Sequence, residues 1–189
     1  MSSMNERPKF TDQFRLIKNI RTTGTITPSS PSLIRKMISS IDFETARCIV
    51  ELGPGNGCIT RELLNRIHHD CKLICFELNN EFVNELKAIN DPRLIVVNVC
   101  ASTIRDVLDA HGIDSVDNVV SSLPLAIMDD GIVKSVVQSV RDNLREGGGF
   151  VQYQYSLNNY DDIKPVFSES RLRFTLRNMP PAFIYDCVK

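Results

Sequence analysis

The chain has 189 residues, a formal net charge of −1, and 42% hydrophobic and 24% charged residues. That length fits one domain, and the composition excludes a disordered tail, a collagen-like repeat and a disulfide miniprotein. The near-neutral charge also argues against a domain whose affinity comes from wrapping nucleic acid.

The charge is unevenly spread. Residues 1–40 hold seven basic side chains against two acidic ones, leaving fifteen basic and twenty-one acidic in the rest. A basic leader on an acidic body implies either an anionic contact for the leader or a solvated basic helix. The six cysteines form no C-x-x-C pair and the three histidines have no ligand spacing, so reduced thiols and no metal are expected. No apolar run reaches the roughly 20 residues of a membrane span. Asn5, Glu6, Arg7 and Pro8 interrupt any signal-peptide core. The expected location is cytoplasmic, with any membrane contact peripheral.

Phe10, Phe14, Ile17 and Ile20 recur at helical spacing between about Lys9 and Arg21, flanked by Arg15 and Lys18. Residues 22–31 are a Thr/Gly/Ser/Pro stretch, and Pro31 opens a second helix, so 9–40 reads as helix, loop and helix. Strands are then predicted at 47–52, 72–77, 93–97, 118–121 and 150–155. Helices alternate with them at 59–67, 81–89, 103–110 and 131–144. This alternation specifies an α/β fold with a mostly parallel central sheet and helices on both faces. After it, Leu172, Phe174 and Leu176 alternate, and Phe183, Ile184, Tyr185 and Val188 follow Pro180-Pro181. That tail predicts two antiparallel edge strands joined at the prolines. With no internal repeat, 1–189 reads as a single domain.

The first strand runs into Val50-Glu51-Leu52-Gly53-Pro54-Gly55-Asn56-Gly57. Glycines here permit a tight turn and a close ligand approach beside a helix N-terminus. Glu77 ends the second strand, twenty residues after Gly57, where a carboxylate can accept from both hydroxyls of a ribose. Glu51 would repel a pyrophosphate and favour a cationic amino acid moiety. The glycine spacing is G-x-G-x-G, not the G-x-G-x-x-G of dinucleotide binders. Together these features favour S-adenosylmethionine.

The E-x-G-x-G-x-G run followed by a strand-end Glu resembles the class I S-adenosylmethionine-dependent methyltransferases. The segments 21–31, 120–125, 148–155 and 177–182 narrow this to a resemblance to the bacterial phospholipid N-methyltransferase family, from about Phe10 to the C-terminus. The ribosomal RNA adenine dimethylases are more distantly similar.

The resemblance implies a Rossmann-like methyltransferase fold with an antiparallel C-terminal edge. It implies S-adenosylmethionine held by Thr23, Gly24, Glu51, Gly53, Gly55, Gly57, Glu77, Ala101 and Ser122. It implies a methyl-transfer site lined by Ser122, Leu123 and Pro124. The substrate it implies is the amine of a phosphatidylethanolamine-like phospholipid. The family often has Asp or Ser before the Ala that follows the third strand. Cys100 stands there instead, so a backbone carbonyl or Ser102 is expected to meet the adenine. Tyr153 and Tyr155 share one strand face and serve either a methylated ammonium or sheet packing. Arg177 and Asn178 are either headgroup-phosphate ligands or a solvated edge. The leader helix is either an anionic-membrane contact, through Phe10, Phe14, Lys18 and Arg21, or a lid. Rival readings are an RNA adenine N6-methyltransferase and a non-catalytic cofactor-binding membrane module.

Overall fold

The computed structural model describes residues 30–189. Phe10, Phe14, Lys18, Arg21, Thr23 and Gly24 therefore lie outside the described residues.

Ser30 caps α1 (Pro31–Met37), its hydroxyl accepting the Leu33 N–H, with Pro31 at the first helical position where a missing N–H costs nothing. Then follow β1 (Cys48–Leu52), α2 (Cys58–Leu64), β2 (Lys72–Phe76), α3 (Asn80–Lys87) and β3 (Leu94–Val97). The series continues with α4 (Ile104–Ala110), β4 (Val116–Ser121), α5 (Asp130–Asn143) and β5 (Leu144–Gln154). A short α6 (Tyr160–Ile163), which the sequence pattern does not announce, precedes β6 (Glu169–Thr175) and β7 (Ala182–Val188).

The strands form one sheet in the order β3-β2-β1-β4-β5-β7-β6. β1 to β5 run parallel, and β7 is antiparallel to both β5 and β6. This is the expected architecture with one correction. The two C-terminal strands are not both at the edge, because β7 lies inside the sheet and only β6 is outermost. The prolines stay in the connecting turn, so no ladder bond is lost.

Strand alternation splits the apolar residues between two layers. Val50, Leu52, Ile74 and Phe76 face α4 and α5 through Ile104, Leu108, Val133, Val136 and Val140. Ile49, Leu73 and Cys75 face α1 and α2 through Leu33, Met37, Ile59 and Leu63. All five residues of β1 are buried, as a central strand covered on both sides requires. The carboxyl ends of β1 to β5 consequently share one end of the sheet. The strand order reverses beside β1, and ligands bind such folds at that point.

Candidate active site at the carboxyl ends of the strands

β1 ends in a turn whose three glycines all adopt positive φ: Gly53 at 69°, Gly55 at 58° and Gly57 at 77°. Gly53 donates its N–H to the Phe76 carbonyl at 2.9 Å, and Gly57 forms the left-handed cap from which α2 starts. A β-carbon on Gly53 would come within 2.9 Å of Leu123 Cδ2. The turn and the Ser122–Pro124 loop are therefore in contact.

Glu77 follows β2 and is 5% exposed. One carboxylate oxygen accepts the Gly55 N–H at 3.0 Å and the other accepts the Asn79 N–H at 2.9 Å. It thus braces the glycine turn. A carboxylate has about four acceptor positions, so this bracing is compatible with further hydroxyl donors. Asn98, which the sequence reading missed, ties the ends of β2 and β3 by donating to the Glu77 carbonyl at 2.8 Å.

Glu51 is fully buried between β2 and α2. Its Oε2 accepts from the Thr60 hydroxyl at 2.7 Å and from the Cys75 thiol at 3.4 Å. Burial, then the neighbouring Glu51 charge, pushes the Cys75 thiol well above its ordinary range and keeps it a donor. Ala101 is buried at the start of a 3-10 turn. The carbonyl of Cys100 already accepts the N–H and the hydroxyl of Thr103, at 3.0 and 2.8 Å.

At the end of β4, Ser122 donates its N–H to the Leu52 carbonyl at 2.9 Å, beside Gly53. The Leu123 N–H reaches the buried Ser121 hydroxyl at 3.3 Å. The Leu123 carbonyl accepts three donors: Leu125 N at 2.9 Å and the side-chain amides of Gln152 and Gln154, each at 3.0 Å. Pro124, at φ −80° and ψ 67°, turns the chain as an inverse γ-turn. Gln152 and Gln154 were also missed, although two glutamines at i, i+2 in a strand buried on both faces were the available signal.

Tyr153 lies on the opposite face of β5, buried in the layer under α1, with Tyr155 edge-on at 5.7 Å. Tyr155 keeps 36% of its surface exposed. Asn178 is 5% exposed, and both ends of its amide are engaged, with the Ser30 N–H and the Pro180 carbonyl. It is a structural bridge rather than an open phosphate ligand, while Arg177 is exposed. Away from the site, His68, His69 and Asp70 bring exposed ligand atoms within 4.8 Å of one another, in the loop after α2. Among the described residues no helix is long and apolar enough to cross a membrane.

Residues 49–148 match the family described as methyltransferase domain. Over 92% of both chains, the sequence is 31% identical to an ornithine lipid N-methyltransferase of Singulisphaera acidiphila. The chain belongs to the class I S-adenosylmethionine-dependent methyltransferases. It is also 23% identical, over 71% of its length, to a ribosomal RNA small subunit methyltransferase A of Mycoplasma mycoides, of which it spans 53%. Two solved structures share the fold. A Burkholderia thailandensis 1,6-didemethyltoxoflavin-N1-methyltransferase, solved with S-adenosylhomocysteine, matches with TM-score 0.72 at 10% identity, over 100% of this chain and 93% of that one. A Geobacter metallireducens precorrin-6y C5,15-methyltransferase matches with TM-score 0.65 at 13% identity, over 84% and 89%.

The methyltransferase uses S-adenosylmethionine, and the residues at the site fit it. The turn from Gly53 to Gly57 contains no basic residue that would suit a pyrophosphate. Two buried carboxylates flank it, and the crowding at Gly53 leaves no space for a side chain.

Proposed function

We propose that this enzyme methylates the amine of a phospholipid headgroup, phosphatidylethanolamine-like, at the membrane surface. The observation that supports a lipid amine as acceptor is the likeness to the ornithine lipid N-methyltransferase, which extends over 92% of both chains; the phosphatidylethanolamine-like headgroup rests on the resemblance to the phospholipid N-methyltransferases. The cofactor, when bound, supplies an electrophilic methyl on a sulfonium.

In this reading Gly53, Gly55 and Gly57 admit the methionine portion close to the backbone, and Glu51 sets a negative charge behind the turn. Glu77 accepts the ribose hydroxyls while continuing to hold the Gly55 N–H. Ala101 borders the adenine, with Ser102 in place of the usual polar residue, because the Cys100 carbonyl is already engaged. Thr23 and Gly24 close over the site. Ser122, Leu123 and Pro124 line the approach of the amine, which must arrive neutral and in line with the methyl, about 3 Å away. With the cofactor bound, a C–N bond would form as the sulfonium S–C bond breaks, and the amine proton would leave to solvent. The saturated Leu123 carbonyl fixes this loop. Tyr155 presents the exposed ring to the cationic product, and Tyr153 supports it from behind.

The protein acts in the cytoplasm as a single domain of residues 1–189, peripherally attached to anionic membrane through Phe10, Phe14, Lys18 and Arg21. The decisive experiment incubates the enzyme with labelled S-adenosylmethionine and a total lipid extract and reads the products by mass. Labelled lipid amines support the reading, and an unlabelled extract overturns it. Replacing Phe14 and Lys18 by Ala should weaken sedimentation with anionic vesicles. The 23% identity to a ribosomal RNA methyltransferase favours a second reading, adenine N6-methylation, tested by the same label on ribosomal RNA. The net charge of −1 and Ser122, where Asn or Asp would suit that reaction, weigh against it.

A further inference from the structure

The described residues distribute their exposed apolar side chains unevenly. Val99 follows β3, Ile127 follows β4 and Leu157 follows β5, with 40%, 41% and 43% of their surfaces exposed. Leu176 and Met179, in the turn between β6 and β7, are 74% and 79% exposed, the two highest values among the large hydrophobics described. β3, β4 and β5 are parallel to β1, and β6 reaches β5 through the antiparallel β7. All five residues therefore lie at the end of the sheet that carries the Gly53–Gly57 turn. Among the described residues, the loops at the opposite end expose no large hydrophobic to this degree.

The β6–β7 turn is also held in shape. Asn178 accepts the Ser30 N–H at 3.0 Å and donates to the Pro180 carbonyl at 2.8 Å. The Ser30 hydroxyl donates to the Arg177 carbonyl at 2.7 Å. Arg177 N–H reaches the Thr175 hydroxyl at 3.2 Å. The backbone is thus bonded inward while two apolar tips and one guanidinium point outward. Of the three arginines between Arg171 and Tyr185, Arg171 pairs with Glu169 at 3.4 Å and Arg173 with Asp186 at 2.9 Å, while Arg177 lies in the turn itself. Lys36 adds a further cation by donating to the Phe174 carbonyl.

We propose that the β6–β7 turn is a lipid-inserting contact, with Leu176 and Met179 entering an anionic bilayer surface and Arg177 meeting its phosphates. Apolar tips with a neighbouring cation are the chemistry of an interfacial anchor, whose strength grows with buried apolar area and with attraction to anionic lipid. A turn already ordered loses little conformational freedom on insertion. The contact would seat the active-site end of the sheet against the headgroups. This rests on the lipid-substrate reading for its purpose, but not for its evidence.

The chain has no tryptophan, so one introduced in place of Met179 is a unique fluorophore. The Met179→Trp variant should shift its emission to the blue on adding vesicles of phosphatidylcholine and phosphatidylglycerol, and brominated lipid should quench it. The His111→Trp variant, substituted at an exposed position at the other end of the sheet, should not respond. Leu176→Gln combined with Met179→Gln should lower vesicle affinity about tenfold or more and leave S-adenosylmethionine binding unchanged. An unresponsive indole in the Met179→Trp variant, or a double variant that sediments like the parent, overturns the contact even if phosphatidylethanolamine in the vesicles is methylated. A responsive indole in that variant with no lipid methylated sustains the contact and removes the lipid-substrate reading. If light scattering shows that the double substitution only separates oligomers, the turn joins copies of the chain and the proposal fails.

Discussion

The side-chain amide of Gln154 donates to the main-chain carbonyl of Leu123 at 3.0 Å, joining β5 to the Ser122–Pro124 loop proposed to line the methyl-transfer site. Gln152 makes the same bond from two residues earlier and also donates to the Tyr153 carbonyl at 2.7 Å. Removing one donor should loosen the loop without disturbing the glycine turn. Gln154→Ala is expected to lower kcat about tenfold, the kinetic equivalent of one hydrogen bond, with S-adenosylmethionine affinity kept within about twofold. Steady-state kinetics with calorimetric cofactor binding would check it. Equal losses in both quantities would contradict a role confined to the loop.

Gly53 and Gly112 share a positive φ, 69° and 65°, but differ in surroundings. A β-carbon at Gly53 meets Leu123 at 2.9 Å, whereas one at Gly112 meets nothing within 4 Å. Alanine at either position carries about 1–2 kcal/mol of backbone strain. Both variants should lose stability in thermal melts. Only Gly53→Ala should also lose activity, since Leu123 must move to make room.

Asp117 accepts the N–H groups of Arg47 and Cys48 at 2.7 and 2.9 Å and pairs with Arg145 at 2.7 Å. Desolvation raises its pKa, but these bonds outweigh it and hold the carboxyl below its ordinary 3.8. A depressed folded-state pKa gives stability that is present above the unfolded value and lost as pH falls through the folded one. Asp117→Asn should therefore destabilise by about 1–3 kcal/mol at pH 7. The gap from the parent should narrow in urea titrations below pH 3.8. A constant gap across that range would contradict the assignment.

Burial pushes the Cys48 thiol up to about 12 and those of Cys71 and Cys187 to about 11, with Cys75 also raised. Cys58 and Cys100 are only half-buried and border the glycine turn and Ala101. Iodoacetamide at pH 8 should therefore modify Cys58 and Cys100 first, because the thiolate is the nucleophile. S-adenosylmethionine should slow both reactions, which peptide mass mapping would show. Protection at Cys58 alone would place the adenine away from Cys100.

The glycine turn and Glu77 were legible in the sequence because local rules set them. Three glycines must turn where a strand meets a helix, and Glu77 ends a strand whose register is dictated by burial. The helix starting at Pro31 was legible for the same reason. What escaped depends on partners far along the chain. Asn178 reads as a solvated edge residue until Ser30, 148 positions away, donates to it. β7 reads as an edge strand because Pro180-Pro181 precede it. Its near-continuous burial, with Ala182, Ile184, Tyr185 and Cys187 all fully covered, was the sign of an interior strand. Tyr153 and Tyr155 were placed correctly on one face, but periodicity alone could not show that the first lies under α1 and the second at the rim.

The interior position of β7 also bears on how the protein is made. β6 leaves the ribosome before β7, yet it can reach β5 only through β7. Until residues 182–188 emerge, β5 is an open edge and β6 has no neighbour to pair with. Direct pairing of β5 with β6 would be parallel and would close the slot that β7 must enter. Such long-range pairings form slowly and leave hydrophobic edges exposed to other nascent chains. A released chain truncated before Ala182 should therefore engage chaperones more than the full chain does.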